Sequence, residues 1–188
     1  MSLDLNSPPI GSLQRSGRRL TTRLDRSERR RRARQDRLTA RLAELYCIKG
    51  LLGEAADVVS AGWLQHHWFA VTSTTGQRST VSAYTIHLAA DRPVSDACLV
   101  GSIVHAAGGP STVHTQLVQR TLDLTWHALY EDAHEPVRWC PAPPVRATHV
   151  RDLTRWNDHP RRTADQVVGL LHTAQHHADV QTELVHVR

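Results

Sequence analysis

A mainly α-helical fold is predicted by three features of this 188-residue chain. Apolar residues recur every three to four positions in several separate stretches, and glycine or proline punctuates the ends of those stretches. Only one region is dense in β-branched and aromatic residues. The expected architecture is a compact helical domain with a small β-hairpin element, preceded by a basic N-terminal extension. With 40% hydrophobic residues, the length suits one domain with a modest core.

Met1–Ser16 holds Pro8, Pro9 and Gly11 with little periodicity and reads as disordered. From about Leu20 the composition favours helix, but Arg26–Arg37 has no apolar stripe beyond Ala33, so it reads as solvated helix or as a segment ordered on binding. The stripe begins at Leu38 and runs through Leu42, Leu45, Leu52, Ala56 and Val59, with Gly50 and Gly53 as weak points and Gly62 as the stop. Two short strands joined through Thr74-Thr75-Gly76-Gln77 fit the stretch from Trp68 to Leu88. Leu99, Val100, Ile103, Val104 and Ala107 mark the next helix, N-capped by Ser95 or Asp96 and ended by Gly108-Gly109. Another helix is expected from Ser111 to about Tyr130, burying Val113, Leu117, Leu124 and Leu129. Glu135–Pro144, with prolines at 141, 143 and 144, reads as an irregular loop. Val145–Trp156 suits a short helix, followed by a turn at Asn157-Asp158-His159-Pro160. Thr163 and Gln166 match a capping box for a last helix, Ala164 to about His177, burying Val167, Val168, Leu170 and Leu171.

Charge divides the chain. Residues 1–41 hold twelve arginines against Asp4, Asp25, Glu28 and Asp36, a net +8, whereas the rest is close to −3. Lys49 is the only lysine. The sequence thus predicts an arm over residues 1–37 and a domain over 38–188, with its folded body from about Leu38 to His177. Arg29, Arg30, Arg31, Arg32, Arg34 and Arg37 are the arm's candidate contacts for nucleic acid or an acidic partner, through an attraction that salt weakens. No aromatic residues interleave them to stack on bases, and like-charge runs are often plain solvated tails.

No window is apolar enough to span a membrane, and Gly17-Arg18-Arg19 is followed by more arginines rather than an apolar segment, so no export signal is expected. Cys47, Cys98 and Cys140 are few, odd in number and widely spaced, which points to reduced thiols and a cytoplasmic location rather than a disulfide framework.

Three short motifs stand out: Gly62-Trp63-Leu64-Gln65, Cys98-Leu99-Val100-Gly101-Ser102-Ile103, and Trp156-Asn157-Asp158 ahead of a capped helix. Their combination resembles a small domain family of unknown function from actinobacteria and their phages, over roughly residues 42–175. The resemblance implies a mostly helical domain and supplies no reaction, ligand or catalytic residue.

Cys98 is the candidate nucleophile. A thiol in the first turn of a helix is favoured as thiolate, but catalysis also needs a base within hydrogen-bond reach. His105 is about 10 Å along the same helix by its rise, so a base would come from His87, His149 or His159 with Asp158. Packing of a small buried residue is the competing account of Cys98. Asn157 and Asp158 either line a ligand cleft or close a corner anchored by Trp156. His172 and His176, spaced i, i+4, are a weak metal pair without further ligands at a recognised spacing. No phosphate-binding loop, dinucleotide glycine pattern or nucleophile elbow is present, and no cofactor is expected. The sequence therefore favours a non-enzymatic accessory or regulatory protein acting through its arm. Its alternatives are a thiol-dependent enzyme or small-ligand binder centred on Cys98, and a purely structural or interaction domain.

Overall fold

Residues 11–61 contain no proline, and they form one helix, α1 (Gly11–Ala61), which Gly62 ends by donating its amide to the Val58 carbonyl. The computed structural model describes residues 11–89, 92–137, 139 and 142–187. The disorder expected for Met1–Ser16 lies outside the described residues up to position 10, and residues 11–16 belong to α1. Gly50 and Gly53 do not interrupt the helix. Backbone contacts divide the chain into a first unit ending at Arg41 and a second beginning at Leu42.

In the first unit, every residue from Arg26 to Arg37 is exposed. Arg32 pairs with Glu28 one turn earlier, at 2.6 Å. In the second unit, Leu45, Ile48, Leu52, Ala55, Ala56 and Val59 bury one face of α1 at three- and four-residue intervals.

The β element is larger than a hairpin. β1 (Phe69–Thr72) pairs antiparallel with β2 (Arg78–Val81) as expected, around a turn in which Gly76 adopts φ +80°. A third strand, β3 (Val94–Ala97), flanks β1 on its other edge, so the order is β2-β1-β3. Ser95 and Asp96 are therefore strand residues and not helix caps. Asp96 pairs with Arg78 at 2.8 Å, and the Ser95 hydroxyl donates to its carboxylate at 2.7 Å. The stretch read as strand after Val81 is a 3₁₀ segment, Ala83–Ala89.

The next helix, α2 (Leu99–Ala106), starts two or three residues later than expected, with Cys98 rather than Ser95 or Asp96 as its N-cap. Leu99 to Val104 are all buried, so α2 is enclosed on every side and forms the centre of the second unit, its one buried hydroxyl, Ser102, donating to the Leu99 carbonyl. A short 3₁₀ turn at Pro110–Thr112 precedes α3 (Gln116–Tyr130), which Thr115 caps through the Val118 amide. This later start and packing on two sides, against α4 (Pro143–Asn157) and α5 (Ala164–Val187), change the buried stripe. Val118, Thr121, Leu122, Leu124 and Thr125 are buried, whereas Val113, Leu117 and Leu129 are only partly so. The Thr121 and Thr125 hydroxyls donate to the carbonyls four residues back, which makes them tolerable in the interior.

Helix α4 begins with Pro143 and Pro144 in its first turn, where a missing N–H costs nothing. Both ends of the capping box form: Gln166 donates its amide to the Thr163 hydroxyl at 3.3 Å, and Thr163 donates its amide to the Gln166 side chain at 3.2 Å. Helix α5 continues ten residues beyond His177, because Ala178, Val180, Gln181 and Val185 extend its buried face. Gln181 accepts the Val137 amide and donates to the carbonyls of Ala133 and Glu135, pinning the loop after α3.

His177 is buried on α5, and that burial, with His176, His127 and His134 nearby, outweighs the pull of Asp132 and depresses its pKa. Protons then bind the unfolded chain more readily, so this contribution to stability is complete above the ordinary value near 6.5 and is lost as pH falls below it. His177→Gln should lose less unfolding free energy than wild type between neutral pH and about pH 5.5 in urea titrations. Equal losses would clear His177 of a role in acid sensitivity.

Candidate functional site

A helix that starts inside a core must satisfy its first amides without water. At α2 this is done by two distant pieces of chain and by the helix's own N-cap residue. The Cys98 amide donates to the Trp68 carbonyl at 3.1 Å. The Leu99 amide donates to Asn157 Oδ1 at 3.1 Å, and the Gly101 amide to Cys98 Sγ at 3.3 Å. The Val100 amide also faces the sulfur.

The three motifs meet here. Asn157, fully buried at the end of α4, accepts the Trp63 indole N–H at 3.0 Å on the same Oδ1 that caps Leu99. Its Nδ2 donates to the Leu64 carbonyl at 3.3 Å and to Asp158 Oδ1 at 2.9 Å. Gln65 Nε2 donates to the carbonyls of Asn157 and His159, both at 2.9 Å. Arg162 lies over the Trp156 ring, 3.6 Å from its centroid, and donates to the Trp156 carbonyl. The motif glycines allow the close approach. A Cβ on Gly62 would sit 2.4 Å from the Ser95 carbonyl oxygen, and one on Gly101 only 2.0 Å from that of Trp68.

Cys98, Asn157 and Asp158 thus converge, but on a packed knot. Burial pushes the Cys98 thiol up to about 12, overcoming the amides of Gly101 and Val100, and the nearby Asp158 charge adds to the rise. The thiolate expected from a first-turn position is therefore replaced by a neutral thiol that acts as a cap. Its hydrogen bond is to backbone, and the histidines considered as its base are engaged or placed elsewhere. His105 meets Phe69 edge-on, His149 binds Asp123, His159 Nδ1 accepts the Arg161 amide, and His87 is exposed in the 3₁₀ segment.

The spacing of residues gave no sign of a second polar cluster. Asp123, buried in α3, accepts from His149 Nδ1 at 2.9 Å, and its other oxygen lies 3.7 Å from Arg146 Nε. The His149 ring stacks on Trp126 at 4.1 Å. This acid–imidazole pair ties α3 to α4 within the fold.

His172 and His176 are exposed on α5, and His172 Nδ1 is 2.8 Å from the Gln175 amide oxygen. Among the described residues no group of three or more His, Cys, Asp or Glu side chains is arranged to hold a metal ion, and no helix is long and apolar enough to cross a membrane. Cys140 lies outside the described residues. The arm candidates Arg29, Arg30, Arg31, Arg32, Arg34 and Arg37 all lie in the exposed first-unit part of α1.

An open cleft of about 410 Å³ adjoins the knot. His66, His67, Trp68, Tyr84 and Ser82 form one side, with Ala147, Val150, Arg151, Thr154 and Arg155 of α4 opposite and Asp158 at the junction. Asn157 is not part of its lining.

One family model matches residues 47–177, a span that includes all three motifs and not the arginine run: Family of unknown function (DUF6197). No curated protein and no solved structure matches the chain.

If Asn157 is the hub of the knot, Asn157→Ala should lower the unfolding free energy by about 2–4 kcal/mol, since buried amides of α2 and Trp63 lose their acceptor. Asn157→Asp should cost at least as much, because a second carboxylate would face Asp158. Urea denaturation checks both, and a loss below about 0.5 kcal/mol would refute the hub role. Alkylation near pH 8, mapped by peptide mass, should modify exposed Cys47 and spare Cys98 until denaturant is added. Rapid native modification of Cys98 would restore the nucleophile.

Proposed function

We propose, for a chain that belongs to the DUF6197 family of unknown function, that it is a non-enzymatic accessory protein whose arginine-bearing helical segment binds nucleic acid. The observation that carries this reading is the exposure of every residue from Arg26 to Arg37, a stretch with seven arginines against two acids. A helix polar on all sides buries nothing by itself, so its arginines are not explained by packing. Guanidinium groups spaced along a helix suit phosphate oxygens, which they can grip with two hydrogen bonds each. Contact with the backbone of the nucleic acid releases counterions and needs no base-reading groups, which agrees with the lack of interleaved aromatics. A non-enzymatic role for the body is supported by the knot, where the three motifs satisfy one another and the thiol is neutral.

Binding of duplex DNA by the full chain should weaken as salt rises, with a log–log slope of about −5 if the six candidate arginines each meet a phosphate. Replacing Arg29, Arg30, Arg31, Arg32, Arg34 and Arg37 by Gln should flatten that slope to near zero. Fluorescence anisotropy across a salt series measures both. Equal binding by the two proteins, or none by either, rejects the arm as the contact; capture of an acidic protein without DNA binding would redirect it.

A further inference from the structure

The cleft beside the knot is unexplained by packing, and three independent features mark it. The first is Tyr84, which leaves 94% of its surface exposed at the cleft although a tyrosine ring is costly to hold in water. Trp68 lines the same side. The second is charge. Arg151 and Arg155 stand one turn apart on α4, so both guanidinium groups reach the same wall. The one carboxylate of the lining, Asp158, commits Oδ1 to the knot, where it accepts the His66 amide at 2.8 Å and the Asn157 side chain at 2.9 Å, while its Oδ2 lies 3.8 Å from His66 Nδ1 and leaves Arg151 and Arg155 to the cleft. Asp152 stands 4.0 Å from Arg151 and draws on only one of the two cations. The third is backbone strain. His66 adopts φ +68°, the only positive φ of a non-glycine among the described residues, and Asp158 holds it there with its side chain exposed beside the cleft.

An aromatic and apolar floor with a cationic wall selects a ligand that is planar at one end and anionic at the other. The volume lies within the range of small-molecule sites, about 300–1,000 Å³. We propose that this cleft binds a nucleoside monophosphate, its base against Tyr84 and Trp68 and its phosphate on Arg151, Arg155 and the His66 imidazole. A stacked base gains from any π-face, while two arginines and a histidine supply donors matched to phosphate oxygens. The site does not depend on the arginine arm, since all of its residues lie in the second unit.

The test is calorimetric titration of the full chain at about 0.15 M salt, where surface charge is screened within roughly 8 Å. Adenosine 5′-monophosphate, adenosine, inorganic phosphate and a short single-stranded oligonucleotide are the probes. The monophosphate should bind at least about tenfold more tightly than adenosine or phosphate, the difference expected when two subsites act together. Tyr84→Ala and Arg155→Gln, both at exposed positions, should each weaken it about tenfold while leaving the thermal midpoint unchanged. His66→Gly should weaken it too without lowering the midpoint, because glycine accepts a positive φ. Replacement of the six arm arginines by Gln should leave the affinity for the monophosphate unaltered. No binding at millimolar monophosphate, or binding indifferent to Tyr84 and Arg155, overturns the site. So does binding confined to the oligonucleotide, or loss of monophosphate binding in the arm variant.

Discussion

The second unit is organised around one demand: a helix that begins in the core has amides that water cannot reach. Helix α2 is short, largely apolar and buried on all sides, so its placement is favoured by burial, each large apolar side chain contributing about 1.5–3 kcal/mol. That gain would be offset by unsatisfied N–H groups, at about 1–3 kcal/mol each, unless acceptors were supplied. Cys98 supplies one from within the local chain and Asn157 another from the end of α4. Because the same Asn157 oxygen also receives the Trp63 indole, the exit of α1, the start of α2 and the end of α4 share one atom. Substitution of any one piece changes the other two.

The knot also shapes what lies beside it. Asp158, next to the hub, reaches the backbone of His66 and holds it in a left-handed conformation at the edge of the cleft. The corner thereby stands beside a surface of rings and guanidinium groups drawn from the segment after α1, the 3₁₀ segment and α4. Cleft lining and core packing are separated by a single residue: Asn157 is buried in the knot, while Asp158 lines the cleft with one oxygen committed to the knot.

Much of this was legible where signals are local. The Thr163–Gln166 capping box, the stop at Gly62 and the β1–β2 turn depend on residues within a few positions of one another, and each formed. The start of α2 was misread because Asp96 is a good cap by type, yet pairing of β3 with β1 claims it and gives it Arg78 as partner. The Asp123–His149 pair joins helices 26 residues apart and has no spacing to reveal it. The motifs themselves were visible, but not that they would satisfy one another, since Trp63 and Asn157 are 94 positions apart. Nor does sequence show that Tyr84 is left in solvent, which only the path of the 3₁₀ segment determines.

The Leu99–Asn157 bond, spanning 58 positions, also orders events during synthesis. As the chain leaves the ribosome, the segment that becomes α2 emerges well before the residue that completes its first turn, and until then its leading amide can only be hydrated. A buried helix cannot stay hydrated, so its docking must wait for the end of α4. Closure of so long a loop is a cooperative step, which makes the amide of Leu99 a reporter of whether the end of α4 has docked on α2.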